Sequence, residues 1–274
     1  MSAQSSDRMF INIIGIPSWI AIIWLGGFYY FSFIAVCALI GLVEFYSMSE
    51  LKGVTPNRYV GITFSILILA YYWFTPQVSE TLFIGFLIIG IMWLLMEELY
   101  RGLPNAVGNM SYKFFGIFYS PLLLGTAIPI RQFDSINNIS LTFALIVSVW
   151  ACDSAAFFFG TKWGKKKIFP RVSPKKSYIG SIAGVFASFL VMTMFQYFGW
   201  LGAMFTGYDI FIFSMITGIL GQVGDFAESL IKRDVGVKDS GTILRGHGGV
   251  LDRFDSLIFA MPIAYLYTHF LELI

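Results

Sequence analysis

The sequence predicts an all-α, polytopic integral membrane protein, and three observations carry that expectation. The 274-residue chain is 57% hydrophobic and only 12% charged, whereas soluble domains carry about a quarter charged residues. Its mean hydropathy is +0.74. Nine stretches are apolar enough to be read as spans, each near the roughly 20 residues needed to cross a bilayer. This composition excludes a disordered chain, a secreted disulfide scaffold and a water-soluble nucleic-acid binder.

In chain order the stretches lie near 10–26, 28–48, 59–75, 81–99, 111–130, 139–160, 179–200, 208–231 and 254–273. The first two are almost continuous and are divided by Gly26 and Gly27, so eight or ten spans also fit. Nothing reads as a cleaved signal peptide, because Arg8 is offset by Asp7 and no cleavage-type site ends the first apolar run. With nine spans, every one of the 18 Lys and Arg residues except Arg131 falls on one side. The positive-inside rule then places the N-terminus and the loops 161–178 and 232–253 in the cytoplasm, in a protein of the cell membrane. The division expected from this pattern is a membrane scaffold over 1–150 and a catalytic region over 151–274. Cys37 and Cys152 lack metal-ligand spacing and read as small hydrophobes within helices.

Ionisable residues inside spans are costly and mark either function or a buried partner. Glu44, Asp153, Asp225 and Glu228 are such residues. Glu44, near a span end and close to Glu50, reads as a structural ion-pair member. Asp225 and Glu228 share one helical face with Ser229 and Lys232. A polar, glycine-rich loop follows them, and then a second acidic pair, Asp252 and Asp255.

That loop suits a phosphate ligand. Gly246, Gly248 and Gly249 let backbone N–H groups approach an anion, and Lys232, Arg233, Lys238 and Arg253 supply positive charge. Asp225 and Asp252 offer hard oxygen ligands for Mg²⁺, which commonly links a few carboxylates to substrate phosphates. The plainer alternative is a solvated charged loop. The other long loop, 161–178, is strongly basic and reads either as a contact for anionic headgroups or as a clamp on an anionic lipid or nucleotide. Walker A, Gly-x-Ser-x-Gly and His-Glu-x-x-His motifs are absent from the sequence, and His269 reads as a packed or interfacial residue.

The run Ser229-Leu-Ile-Lys-Arg-x4-Lys238-Asp-x-Gly241-x2-Leu244-x2-His247-Gly-Gly-Val-x-Asp252-Arg-Phe-Asp255 closely resembles the signature of phosphatidate cytidylyltransferases. Gly224-Asp225-Phe-Ala-Glu228-Ser229 is similar to that family's Gly-Asp-x-x-Glu-Ser. Asp153, Gly160, Gly164-Lys165 and Ser173-Pro174-Lys175-Lys176-Ser177 resemble its second cytoplasmic motif. The strong likeness covers 153–255; earlier residues match only as generic spans. Arg245 stands where the family usually has Pro, and Ile179 where an acidic residue is common.

The resemblance implies that CTP and phosphatidic acid react to give CDP-diacylglycerol and pyrophosphate, with Mg²⁺ and room for a second cation. It implies catalytic roles for Asp225, Asp252, Lys232 and Lys238, with Asp225 and Asp252 holding metal. Substrate contacts are expected from Asp153, Ser173, Lys175, Lys176, Ser229, Arg233, Asp239, His247, Gly248, Gly249, Arg253 and Asp255. The expected partners are the two substrates, membrane lipid and a second copy of the chain, with no nucleic acid. Two other readings stand beside this one: a CTP-dependent lipid or polyprenol kinase, and an ion-coupled transporter of an anionic substrate.

Overall fold

A computed structural model describes residue 15 and residues 17–74, 80–243 and 248–273. Among these the chain is helical, and its only extended pairing is an isolated antiparallel bridge between Lys167 and Ser177. The helices are α1 (Gly27–Glu50), α2 (Arg58–Trp73), α3 (Glu80–Arg101), α4 (Ala106–Ile117), α5 (Ala127–Asn137), α6 (Leu141–Trp163), α7 (Tyr178–Tyr197), α8 (Gly207–Met215), α9 (Gly221–Val235) and α10 (Leu251–Leu273). Seven helical paths among the described residues are long and apolar enough to cross a membrane. The protein is a helical polytopic membrane protein.

Two of the nine apolar stretches account for the difference in number. The stretch 10–26 is described only in part, with residues 10–14 and 16 outside the described residues. Helix α2 has 16 residues, about 24 Å at 1.5 Å per residue, short of the roughly 30 Å hydrocarbon core. Two of the seven paths are interrupted helices. A π-helical turn over Phe118–Leu122, containing Pro121, joins α4 towards α5, and another over Ile216–Leu220 joins α8 to α9. Such turns re-aim the side chains that follow them.

The break expected at Gly26–Gly27 is present, with φ of 61° and 48°, a region costly for residues bearing a Cβ. Arg131 sits against it. Its Nε donates to the Ile23 carbonyl at 2.8 Å and its Nη1 to Ser135 Oγ at 2.7 Å. The cation that stood apart in the charge pattern thus satisfies a carbonyl at a helix C-terminus.

Small residues bring the site-bearing helices together. A Cβ on Gly180 would meet the Ala156 carbonyl at 2.5 Å, and one on Gly224 would meet the Asp255 carbonyl at 2.4 Å. The first sets the α6–α7 approach and the second the α9–α10 approach, as small residues do between membrane helices.

Candidate active site

Helix α9 ends at Gly236, whose φ of 84° lets the Val237 N–H return to the Lys232 carbonyl at 2.9 Å, a glycine C-cap. Lys232 and Arg233 therefore occupy the last turn, where cations complement the helix dipole. Lys232 is mostly buried and turned inward: its Nζ pairs with Glu228 and lies 2.5 Å from Asp252 Oδ1. Within the face read over Asp225, Glu228, Ser229 and Lys232, Glu228 and Lys232 pair with each other, one helical turn apart. Arg233 points outward and spans two loops, donating to the Val172 and Val237 carbonyls at 3.4 and 3.0 Å.

Asp252 stands in the first turn of α10. Its Oδ2 accepts from Gly249 N at 2.7 Å, Ser240 N at 2.9 Å and Ser240 Oγ at 3.0 Å. Gly248 adopts φ 80°, and a Cβ there would meet Asp252 Oδ2 at 2.4 Å. Gly249, expected to face a ligand, directs its N–H to Asp252. Lys238 and Asp239 are exposed on the connecting loop. His247 and the departing residue Arg245 lie outside the described residues.

The basic loop between α6 and α7 is a compact hairpin. Ile168 N donates to Lys176 O at 3.2 Å, Tyr178 N to Lys166 O at 3.2 Å, and Lys167 Nζ to Lys175 O at 3.2 Å. Ser173 is held by its own N–H on Phe169 O at 2.9 Å. This places Lys176 on Asp225 as an ion pair, with its Nζ 4.5 Å from the centre of the Phe226 ring. Lys175 is exposed instead. The two adjacent lysines, grouped together by sequence, thus have different surroundings.

Asp153, Asp225 and Asp255 interact electrostatically with one another and with Lys176. Glu228 interacts with Asp255, Asp252 and Lys232. The structure therefore brings together Asp153, Asp225, Asp252 and Asp255 with Lys176 and Lys232, and adds Glu228; Ser229, half-buried, shares their helix. Three buried polar atoms here have no hydrogen-bond partner: Glu228 Oε1, Ser256 Oγ and the Tyr119 hydroxyl. Tyr119 lies in the first π-helical turn and interacts with Glu228, Asp255, Asp225 and Asp252. Nothing in its sequence neighbourhood distinguishes it from the chain's other tyrosines, so sequence reasoning missed it.

Five carboxylates are gathered here, and the described ion pairs bring two ammonium groups to them. The donor set is hard and anionic, which suits a cation such as Mg²⁺. In this geometry Lys176 occupies Asp225, while Lys232 and three further donors occupy Asp252. Among the described residues no group of three or more His, Cys, Asp or Glu is close enough to hold a metal ion. A metal at Asp225 or Asp252 would therefore displace a lysine ammonium from its carboxylate.

Two grooves flank the last turns of α9. One, of about 510 Å³, is lined by Phe169, Arg171, Val172 and Arg233. The other, of about 450 Å³, is lined by Phe45, Tyr112, Phe115, Leu230 and Val235. One is basic and the other apolar, and they share Leu230 and Asp234.

The carboxylate cluster lies on helices long and apolar enough to cross a membrane and is bordered by basic loops, within a helical integral membrane protein. The profile of the Cytidylyltransferase family matches residues 6–271, and the chain belongs to that family. It is similar to the phosphatidate cytidylyltransferase of Synechocystis sp., at 29% identity over 96% of each chain. It is 30% identical to the phosphatidate cytidylyltransferase of Staphylococcus aureus over 93% of this chain and 96% of the relative. The enzyme of the same name from Bacillus subtilis is 39% identical over half of each chain.

Proposed function

We infer that the protein transfers the cytidylyl group of CTP to phosphatidic acid, forming CDP-diacylglycerol and pyrophosphate. The observation that carries this reading is the convergence of Asp153, Asp225, Asp252 and Asp255 with Lys176 and Lys232, in a chain matched over 6–271 by the cytidylyltransferase profile. The phosphatidate phosphate is already an anionic nucleophile at neutral pH, so no activated Ser or Cys is required. The chemical difficulty is bringing two polyanions together at the α-phosphorus.

Lys232, Lys238, Arg233 and Arg253 are the cations proposed to bind phosphate oxygens where negative charge accumulates, and Lys176 is proposed to hold substrate as it binds. We assign Mg²⁺ to Asp225 and Asp252. When bound, it would screen the phosphates and stabilise the leaving pyrophosphate. Two features support a cation here: the excess of carboxylates over ammonium groups, and the lysine ammonium now resting on each proposed ligand. Asp153, Ser173, Lys175, Ser229, Asp239, His247, Gly248, Gly249 and Asp255 complete the proposed substrate contacts. The apolar groove beside the basic one suits a lipid that enters sideways with its headgroup at the interface. A homodimer is proposed as the assembled form.

The test is incubation of purified protein with α-labelled CTP and phosphatidic acid. Label in the lipid fraction with release of pyrophosphate is expected. Label leaving as CDP would instead identify a kinase that transfers the γ-phosphoryl group. The active site is proposed to open to the cytoplasm. Cysteines at Ser154 and Ser229 should react with a membrane-impermeant thiol reagent from the cytoplasmic side only, with protection by CTP and Mg²⁺. Labelling from the opposite face would overturn the orientation.

A further inference from the structure

Glu44 lies on α1, in the half of the chain whose sequence reads as generic spans, and it is 4% exposed. No ion pair to it is described. Its carboxylate accepts three hydrogen bonds, from Val250 N at 2.9 Å, Leu251 N at 2.9 Å and Ser240 Oγ at 3.1 Å. The first two donors are N–H groups at the start of α10, which have no partner within their own helix. A carboxylate there is favoured by both the hydrogen bonds and the helix dipole.

The loop is built around this side chain. A Cβ on Gly241 would lie 2.5 Å from Glu44 Oε1, and one on Gly249 would lie 2.5 Å from Oε2. The two ends of the loop, 240–241 and 249–251, thus converge on one carboxylate from another helix. On α1 itself, Gly41 gives room for this approach, since a Cβ there would meet the Leu251 side chain at 3.0 Å.

Ser240 connects Glu44 to Asp252. Its hydroxyl lies 3.1 Å from Glu44 Oε2 and 3.0 Å from Asp252 Oδ2. That hydroxyl carries one hydrogen and serves two carboxylate oxygens, so a change at one acid alters what the other receives. Ser240 N adds a second bond to Asp252 at 2.9 Å, and Asp252 in turn lies 2.5 Å from Lys232.

We propose that Glu44 is a positioning residue for the cytidylyl-transfer site: by holding both ends of the 240–251 loop it sets the orientation of Asp252 and Lys232. The proposal rests on the reading of Asp252 as a site carboxylate. Glu44→Gln keeps the shape of the side chain but places an NH₂ donor where an oxygen now receives N–H or O–H. Residues that orient a site ligand typically cost about 10–100-fold when altered. The same range is expected here in kcat, with KM for phosphatidate within about twofold.

Ser240→Ala should act in the same direction. Glu44→Gln combined with Ser240→Ala should be no worse than the poorer single variant, because both break one chain of contacts. Glu44→Asp, which keeps the charge but shortens the reach, should recover part of the lost rate. The contrast is Glu97→Gln, another acid set among helices, which should lower the melting temperature and leave kcat unchanged.

A second readout does not depend on turnover. Hydrogen exchange in folded, full-length Glu44→Gln should rise at the amides of Gly249, Val250 and Leu251 and stay unchanged in 164–177. Wild-type exchange at those amides, or wild-type kcat in folded Glu44→Gln, would overturn the proposal. So would losses that multiply in the double variant. Absence of lipid labelling by the wild-type protein would instead refute the proposed reaction, while the exchange measurement would still decide whether Glu44 holds the loop.

Discussion

Two charged networks are set among the helices of this protein. Between α3 and α4, Glu97 and Glu98 face Lys113 and Arg101. Lys113, fully buried, pairs with Glu97 and lies 2.9 Å from Glu98, and Arg101 lies 2.7 Å from Glu98. Asn57 and Asn109 donate to the remaining carboxylate oxygens at 2.7 and 2.9 Å. Between α9, α10 and the 164–177 hairpin, Asp153, Asp225, Glu228, Asp252 and Asp255 meet Lys176 and Lys232. Unsatisfied oxygens remain there on Glu228, Ser256 and Tyr119. The first network balances two acids with two bases and closes its hydrogen bonds. The second carries more carboxyl groups than ammonium groups and leaves acceptors open. Balance suits a network that holds helices together, whereas a surplus of carboxyl groups suits one proposed to take a cation.

The largest effect that would sharpen this contrast is on stability. Removing one partner of a buried pair strands the others and costs about 3–5 kcal/mol. Lys113→Met should therefore lower the melting temperature in detergent strongly, while the molecules that remain folded keep wild-type kcat. A Lys113→Met protein that melts normally and has lost turnover would break the distinction, because it would place the first network in the chemistry.

At the second network the effects should be reversed. Asp225→Asn and Asp252→Asn should each reduce kcat about a hundredfold or more, equivalent to roughly 2.7 kcal/mol of barrier. Asp225→Asn should barely move the melting temperature. The Lys176–Asp225 pair it weakens is about one-quarter exposed on each side, and such pairs contribute about 1 kcal/mol or less. Near-wild-type labelling of lipid by either variant at ordinary Mg²⁺ would remove the metal assignment.

How far sequence reached follows from the range of the interactions involved. The helices were legible because hydrophobic runs are local. Helix α2, at 16 residues, falls short of the length expected for a span. The Glu228–Lys232 face was legible from its i, i+4 spacing. Glu44 was read as an ion-pair member, yet its partners lie 196 to 207 residues away and are a hydroxyl and two backbone amides. No local pattern encodes such a contact. Gly249 was legible as a close-approach signal, whereas Gly241 was not singled out as one. Their described neighbour is the Glu44 carboxylate, with Asp252 receiving the Gly249 N–H.

Lys175 and Lys176 give the finest test of the same contrast, because the chain places one lysine inside the carboxyl-rich network and the other beside it. Lys176 pairs with Asp225 and lies over the Phe226 ring, whereas Lys175 is exposed and engages the hairpin through its backbone carbonyl. Exposed cations at a membrane face attract anionic headgroups with about 1 kcal/mol each. Lys175→Ala should therefore raise the KM for phosphatidate or CTP about fivefold, leave kcat unchanged, and lose its effect at high salt. Lys176→Ala should also raise KM, by about tenfold, and its effect should persist in salt because the site is partly shielded. The double variant should change KM more than kcat. A loss confined to kcat, with both KM values unaltered, would place these lysines at the transition state, and the hairpin would then belong to the catalytic cluster rather than to its entrance.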